Sequence, residues 1–250
     1  NVLDPRLSDL KVYLDEDEYL LKLAQNVLHD VNSQKHEREY AGIRSWYFYN
    51  EKFGTVTLCN RTIIKASVIH IMSVLAEIDL MKNFVKSLHT IEKFGSFSLF
   101  RFLLKIQLLL PLIISNREMV GFGIGSIDKA KKSILMPFKS VKQGLHQYCG
   151  INIPEEDSNF KRIFVEFGFF HIRVLSEEEC EVTQCINVNP KVSYVPLFVI
   201  NKVLKEISYY MTHEFTTQIE KTKSELVYPD RRKTNKEFYD RIFDELKRLD

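Results

Sequence analysis

A chain of 250 residues with 45% hydrophobic content can bury one sizeable core or two small ones, and its formal net charge of +2 excludes the general basicity of a nucleic-acid coat. Cys59, Cys149, Cys180 and Cys185 show neither C-x-x-C spacing nor clustering with histidine, so no zinc or redox motif is indicated and no metal or other cofactor is expected. The longest apolar run, Leu103 to Ile114, is broken by Lys105, Gln107 and Pro111 and is too short for ~30 Å of hydrocarbon.

In chain order, Asp15 and Glu18 followed by Tyr19, Leu20, Leu23, Val27 and Leu28 predict an amphipathic helix over about 16–32. SWYFYNE and TVTLCNRTIIKAS read as strands separated by Gly54. The period then changes: Ile71, Met72, Leu75, Ile78, Met81 and Val85 recur at helical spacing. In SLFRFLLKIQL, Phe100, Phe102, Leu104 and Ile106 alternate with Arg101, Lys105 and Gln107, which predicts a sheet with one buried face. Further strands are REMVGFGIGSI, SILMPFKSV, KRIFVEFGFFHIRVL and CEVTQCINVN, and a long helix runs from near Val195 to Lys223. Thr234 and Glu237 have capping-box spacing, before an apolar stripe of Phe238, Ile242, Phe243, Leu246 and Leu249 that would dock within the chain or, as the alternative ranked below it, bind a partner. The fold class is therefore α+β, with helices against a curved antiparallel sheet.

Three glycines, Gly121, Gly123 and Gly125, stand at two-residue intervals between Val120, Phe122 and Ile124. The spacing matches neither a P-loop nor a dinucleotide fingerprint, so the segment is a strand with one bare face. Such a strip serves either ligand space or the close approach of another element or a strong bend. In KRIFVEFGFFHIRVL, uninterrupted alternation puts Ile163, Val165, Phe167, Phe169, His171 and Arg173 on one face. A bulge at Gly168 would instead send His171 and Arg173 outward and turn Phe170, Ile172 and Val174 inward.

From about Tyr40 to Lys221 the chain resembles a START domain, the StAR-related lipid-transfer family, in particular its divergent plant-like members. The resemblance rests on SNREMVGFGIG, on IPEEDSNFKRIFVEFGFF leading into a long strand, and on NVNPKVSYVPLFVINKVL entering the last long helix. It implies a START-like helix-grip fold, in which the curved sheet wraps the C-terminal helix and encloses one lipid in a hydrophobic tunnel. The implied organisation is an N-terminal extension over 1–39, a lipid-binding domain over 40–224 and a C-terminal amphipathic extension over 225–250.

For the tunnel, the resemblance and the strand patterns nominate Met119, Gly121, Gly123, Phe167, Phe169, Arg173, Ile200, Val203, Ile207 and Met211. For a gate that touches membrane it nominates Leu109, Leu110, Pro111, Leu112, Ile113 and Ile114, with Tyr194 to Phe198 nearby. Phospholipid- and ceramide-binding relatives often carry an arginine and an acid around a tryptophan after the second helix. Met81, Phe84 and Val85 stand there instead, so no choline-phosphate preference transfers. The expected function is binding and transfer of one lipid, phospholipid ahead of sterol, by a monomer that meets membranes transiently and does not bind nucleic acid. The competing reading is a lipid-sensing or membrane-tethering module, and a helix-grip enzyme ranks below both. No catalytic residue is assigned, and Glu118 reads as a structural ion pair. A chain beginning at Asn1 leaves the compartment open, including secretion after loss of a leader, and the Asn60-Arg61-Thr62 sequon adds little.

Overall fold

The computed structural model describes residues 5–50, 54–110, 115–189 and 197–247. Helix α1 (Pro5–Ser33) starts well before the expected Glu16, with Pro5 in the first turn, where an absent N–H costs no helical bond. Strands β1 (Arg38–Tyr40) and β2 (Ile43–Asn50) are joined by Ala41 and Gly42 at φ 49° and 76°, the doubly positive φ of a type I′ hairpin turn. After β3 (Thr55–Ile64), the helical periodicity expected to run from Val68 to Val85 is divided into α2 (Val68–Ala76) and a 3₁₀ turn (Ile78–Asn83). The break falls at Glu77, whose buried carboxylate accepts hydrogen bonds from Asn235 Nδ2 and the Tyr239 hydroxyl, both at 2.8 Å. A distant segment thus holds the point where the helix stops.

Strand β4 (Leu88–Ser98) was not legible in the sequence, because its burial does not alternate cleanly and its register against β5 (Arg101–Leu108) shifts three times. Then come β6 (Arg117–Ile124), β7 (Ser126–Asp128), β8 (Ser133–Ser140), the short β9 (Gln147–Tyr148), β10 (Ile151–Asn152) and β11 (Lys161–Arg162), and the long β12 (Phe164–Ser176) and β13 (Glu179–Asn189). Helices α3 (Leu197–Lys221), α4 (Val227–Thr234) and α5 (Lys236–Lys247) complete the order. The main sheet runs β1-β2-β3-β13-β12-β8-β6-β5-β4, with β7 on β8, β11 parallel to β6, and β9–β10 as a separate hairpin. Curved antiparallel sheet plus C-terminal helix gives the α+β helix-grip architecture.

Both faces of this sheet are covered, which corrects the expectation of one buried face. On one face Leu20, Ala24 and Val31 of α1 pack against Trp46, Cys59, Leu103, Val120, Phe122, Phe167, Phe169 and Cys185. On the other, Ile64, Ile134, Ile172 and Val182 meet Ile71, Met72 and Leu75 of α2, Phe215 and Ile219 of α3, Tyr228 of α4, and Tyr239 and Ile242 of α5. The capping box does not form: Thr234 ends α4, and its hydroxyl donates to the Asp230 carbonyl at 3.1 Å. The apolar stripe of α5 does dock within the chain, with Phe238 against Phe100 at 5.3 Å between ring centroids. Asn60 is buried with its amide bonded into α3, so the sequon is not a usable glycosylation acceptor in the folded chain.

Candidate functional site

The face of the sheet toward α3 is set by side-chain parity along β12. Val165 pairs with Val188 and Phe167 with Asn187, so the register shifts at Glu166. This bulge, and not one at Gly168, reverses the alternation. Phe170, Ile172 and Val174 therefore turn toward α3, while Phe167, Phe169, His171 and Arg173 turn toward the α1 side. Phe167 and Phe169, nominated for the tunnel, instead pack in the core beneath α1. Arg173, nominated with them, donates to Glu181 Oε1 at 3.2 Å with its side chain 50% exposed, so it does not enter the space under α3. Gly168 instead permits close packing, because a Cβ there would collide with the ring of Phe138, which pairs with it from β8.

Helix α3 is fastened to the sheet through a buried polar hub on β3 and β13. Asn60 Nδ2 donates to Ser208 Oγ at 2.8 Å and Thr212 Oγ1 at 2.9 Å, Asn60 Oδ1 accepts from Ser45 Oγ at 2.6 Å, and Gln184 Nε2 donates to Thr212 Oγ1 at 2.6 Å. At the rim, Arg38 Nη1 lies 2.9 Å from Glu206, and Lys205 Nζ stands 4.2 Å over the Tyr47 ring. Phe215 meets Phe170 at 5.8 Å. Met211, Ile207 and Val203 continue toward the helix N-terminus at spacings that keep them near the Phe215 side, and all three are partly accessible. The side chain of Ile200 lies outside the described residues.

On the α3 side of the sheet lie Met119, Val165 and Val188, packed with Ile163, Phe138 and Ile186. The last three, with Phe102, Leu104, Ile106, Met136 and Phe170, remain only partly buried although they sit on the α3 side of the sheet. Such a surface is completed by apolar matter or by closer approach of the helix.

The three glycines do not share one purpose. A Cβ at Gly121 would overlap the carbonyl oxygen of Lys139 and press on Met119 Cε, so β8 approaches too closely for any other residue. At Gly125 the same atom would lie 3.1 Å from the Phe100 ring, which already fills that space. At Gly123 it would meet Phe102 and Phe138 at 3.6 to 3.8 Å, ordinary contacts. Gly123 faces α3, opposite Phe102 and Phe138 in register.

Of the nominated gate, Leu109 is 44% exposed and Leu110 partly so, while Pro111, Leu112, Ile113 and Ile114 lie outside the described residues, as does Tyr194. The base of the segment is drawn together by Leu110 N, which donates to Asn116 Oδ1 at 3.3 Å, and by Leu109 N, which donates to the Ser87 carbonyl at 2.8 Å. Phe198, in the first turn of α3, is 74% exposed. Arg117 is buried on the α3 side, with Nη1 donating to the Ser115 carbonyl and hydroxyl.

Glu118 points to the other face, wholly buried, with Lys105 Nζ at 2.9 Å, Arg162 Nη2 at 2.5 Å and Gln107 Nε2 at 3.0 Å. Burial alone would raise its pKa, but these donors outweigh it and hold the carboxyl below the usual range. A carboxylate held this way is a structural anion. No group of three His, Cys, Asp or Glu side chains suited to a metal occurs among the described residues. A cleft of about 620 Å³ opens between α3, the 3₁₀ turn and α4, but its lining of Lys86, His213, Glu214, Lys221 and Glu225 beside Phe84 and Tyr228 is half polar. It lies off the apolar face just described.

No family model matches the chain, and no curated protein matches it in sequence. Solved structures do match in shape. Human StAR-related lipid transfer protein 5 superposes with a TM-score of 0.74 at 12% identity, over 86% of this chain and 99% of that one. The fold is a START fold. Human STARD10 gives 0.65 at 15% identity, over 80% of this chain and 76% of that one. A STAR-related lipid transfer protein from Xanthomonas axonopodis gives 0.58 at 13% identity, over 74% and 98%. At these identities the START fold is shared, and the side chains on its α3-facing surface must be read from this chain. What sequence reasoning missed is Asn60, Gln184, Ser208 and Thr212, polar residues whose partnership joins distant segments. It also missed the bulge at Glu166, because strict alternation gives no sign of it.

Proposed function

We propose that this START-fold protein binds one lipid between the α3-facing side of its sheet and α3, and carries it between membranes. The observation behind this reading is the partly accessible apolar surface of Phe102, Phe138, Phe170 and Ile186 on the α3 side of the sheet, together with the partly accessible Ile207 and Met211 of α3. An acyl chain there would gain about 0.8 kcal/mol per buried methylene. Met119, Gly123, Val203, Ile207 and Met211 are the proposed lining, with Ile200 beside them. Phospholipid ranks ahead of sterol in this proposal. Leu109, Leu110 and the Pro111–Ile114 segment, with Phe198, are the proposed membrane-facing gate, on the apolar character of these residues in the sequence. The protein acts as a monomer and catalyses no reaction.

The test is native mass spectrometry followed by lipid extraction from protein incubated with mixed phospholipids, sterols, ceramides and fatty acids. One bound lipid per chain is expected. A folded chain that stays empty across all four classes defeats the proposal. A second reading, a lipid sensor without transfer, is favoured by the intramolecular docking of α5, whose Phe238 touches Phe100 beside Gly125. A donor-to-acceptor liposome assay separates the two, since only a carrier loads and releases repeatedly.

A further inference from the structure

Cys59 and Cys185 lie 126 residues apart in sequence and directly opposite one another on β3 and β13, joined as a disulfide with a Cα–Cα distance of 4.2 Å. Both are buried on the α1 side, in a row across four strands formed by Trp46, Cys59, Cys185 and Phe169. Leu20 and Ala24 of α1 belong to the same packed cluster. A soluble reductant therefore reaches the bond only when α1 lifts. That helix is held down by Asp17 against Arg101 at 3.2 Å, Glu16 against Lys139 at 3.0 Å, Tyr148 donating to Glu16 at 2.7 Å, and Arg61 donating to Asn32 at 2.7 Å.

The neighbours of the two cysteines are Asn60 and Gln184, which face each other in the next register pair and point through the sheet to α3. Alternation along a strand puts them on the opposite face by necessity. A covalent bond on the α1 side thus fixes the spacing of β3 and β13 where the amides of Asn60 and Gln184 converge on Thr212. We infer that Cys59 and Cys185 are a redox-responsive staple, guarded by α1, whose state sets how firmly α3 is held. The inference does not depend on what the protein binds.

Reduction by a dithiol is balanced within the pair. A thiolate of the reductant attacks one sulfur to give a mixed disulfide, the reductant's second thiolate closes its own ring disulfide, and the protein ends with two thiols after taking two protons from solvent. A cyclic disulfide of the same class reverses the reaction. The remaining cysteines are poor competitors for exchange: burial pushes the Cys180 thiol up to about 12 and raises that of Cys149. At neutral pH neither supplies much thiolate.

The first measurement uses the unmodified protein. Protein treated with a cyclic disulfide, then denatured and alkylated, should take up two alkyl groups by intact mass, and after a dithiol four. Native reduction should be slow, and at least tenfold faster in Asp17→Asn, which loosens α1. Amide exchange over Ser208 to Thr216 should quicken several-fold on reduction, and the thermal midpoint should fall by about 5 °C or more. The double variant Cys59→Ala, Cys185→Ala should exchange like the reduced protein and ignore dithiol. Four alkyl groups after oxidant treatment would show that the staple does not form. Two thiols gained with α3 exchange unchanged would leave a buried disulfide and overturn the relay.

Discussion

Phe169 and Phe170 are neighbours on β12, yet the first is wholly buried beneath α1 while the second keeps part of its ring accessible opposite α3. The difference extends across the sheet. On the α1 side, apolar side chains interdigitate and buried charges such as Glu118 and Arg61 are met by named partners: Glu118 by Lys105, Gln107 and Arg162, and Arg61 by Thr183, Asn32 and the Trp46 ring. On the α3 side, a polar hub at one seam carries the helix, and the apolar strands beyond it are less completely covered. A closed face confers stability, and a face left apolar and accessible at some cost in burial is where a ligand belongs.

The comparison breaks most visibly if the two phenylalanines are truncated. Phe169→Ala should cost about 3–5 kcal/mol in urea unfolding, because it leaves a cavity in a close-packed core. Phe170→Ala should cost distinctly less and change lipid loading instead. Equal losses of stability with equal loading would remove the distinction between the faces.

A pH series sharpens the same contrast. Burial, then the positive charge of Arg61, lowers the His171 imidazole on the α1 side to about 4, with nearby Glu181 opposing and Arg173 and Lys131 adding to the effect. Its folded pKa lies below the ordinary 6.5, so the unfolded chain takes up the proton first. Stability from this group is full above pH 6.5, declines as the pH falls toward 4 and then levels, with an upper bound on the order of 3 kcal/mol. His171→Gln should flatten that limb of the stability profile. An unchanged slope would mean that His171 is not held neutral.

The glycines give a smaller effect with opposite signatures. Gly121→Ala should lower stability by about 1–3 kcal/mol, since the new Cβ must displace the backbone of β8 as well as the end of Met119. Gly123→Leu should leave folding largely intact, as followed by circular dichroism and melting, and reduce lipid loading. A folded Gly123→Leu chain that loads fully would return Gly123 to ordinary packing. The least effect on stability, within about 0.5 kcal/mol, is expected for Ile113→Asp if the segment is a surface gate. Liposome transfer should then slow several-fold, because a carboxylate resists the apolar phase. Early melting together with loss of loading would place Ile113 in a core instead.

Periodicity alone determined much of this protein. The alternation in β5, β6 and β8, the helical stripes of α1 and α3, and the order of strands and helices were legible because each follows from local spacing and from the need to bury one set of side chains. The glycine spacing likewise identified a strand with a bare face. Three things were decided only in three dimensions. The bulge at Glu166 turned Phe167, Phe169 and Arg173 away from α3, and an extra residue in a strand is fixed by the register of its partner β13. Which glycine could carry a side chain depended on whether Lys139, Phe100 or only atoms at ordinary contact distance stood opposite, a matter of distance between strands. The bonds of Asn60 to Ser208 and Thr212, and the pairing of Cys59 with Cys185, join residues more than a hundred positions apart. Hydrophobic pattern says which side of an element is buried; only the paired strands and the packed helix decide what it is buried against.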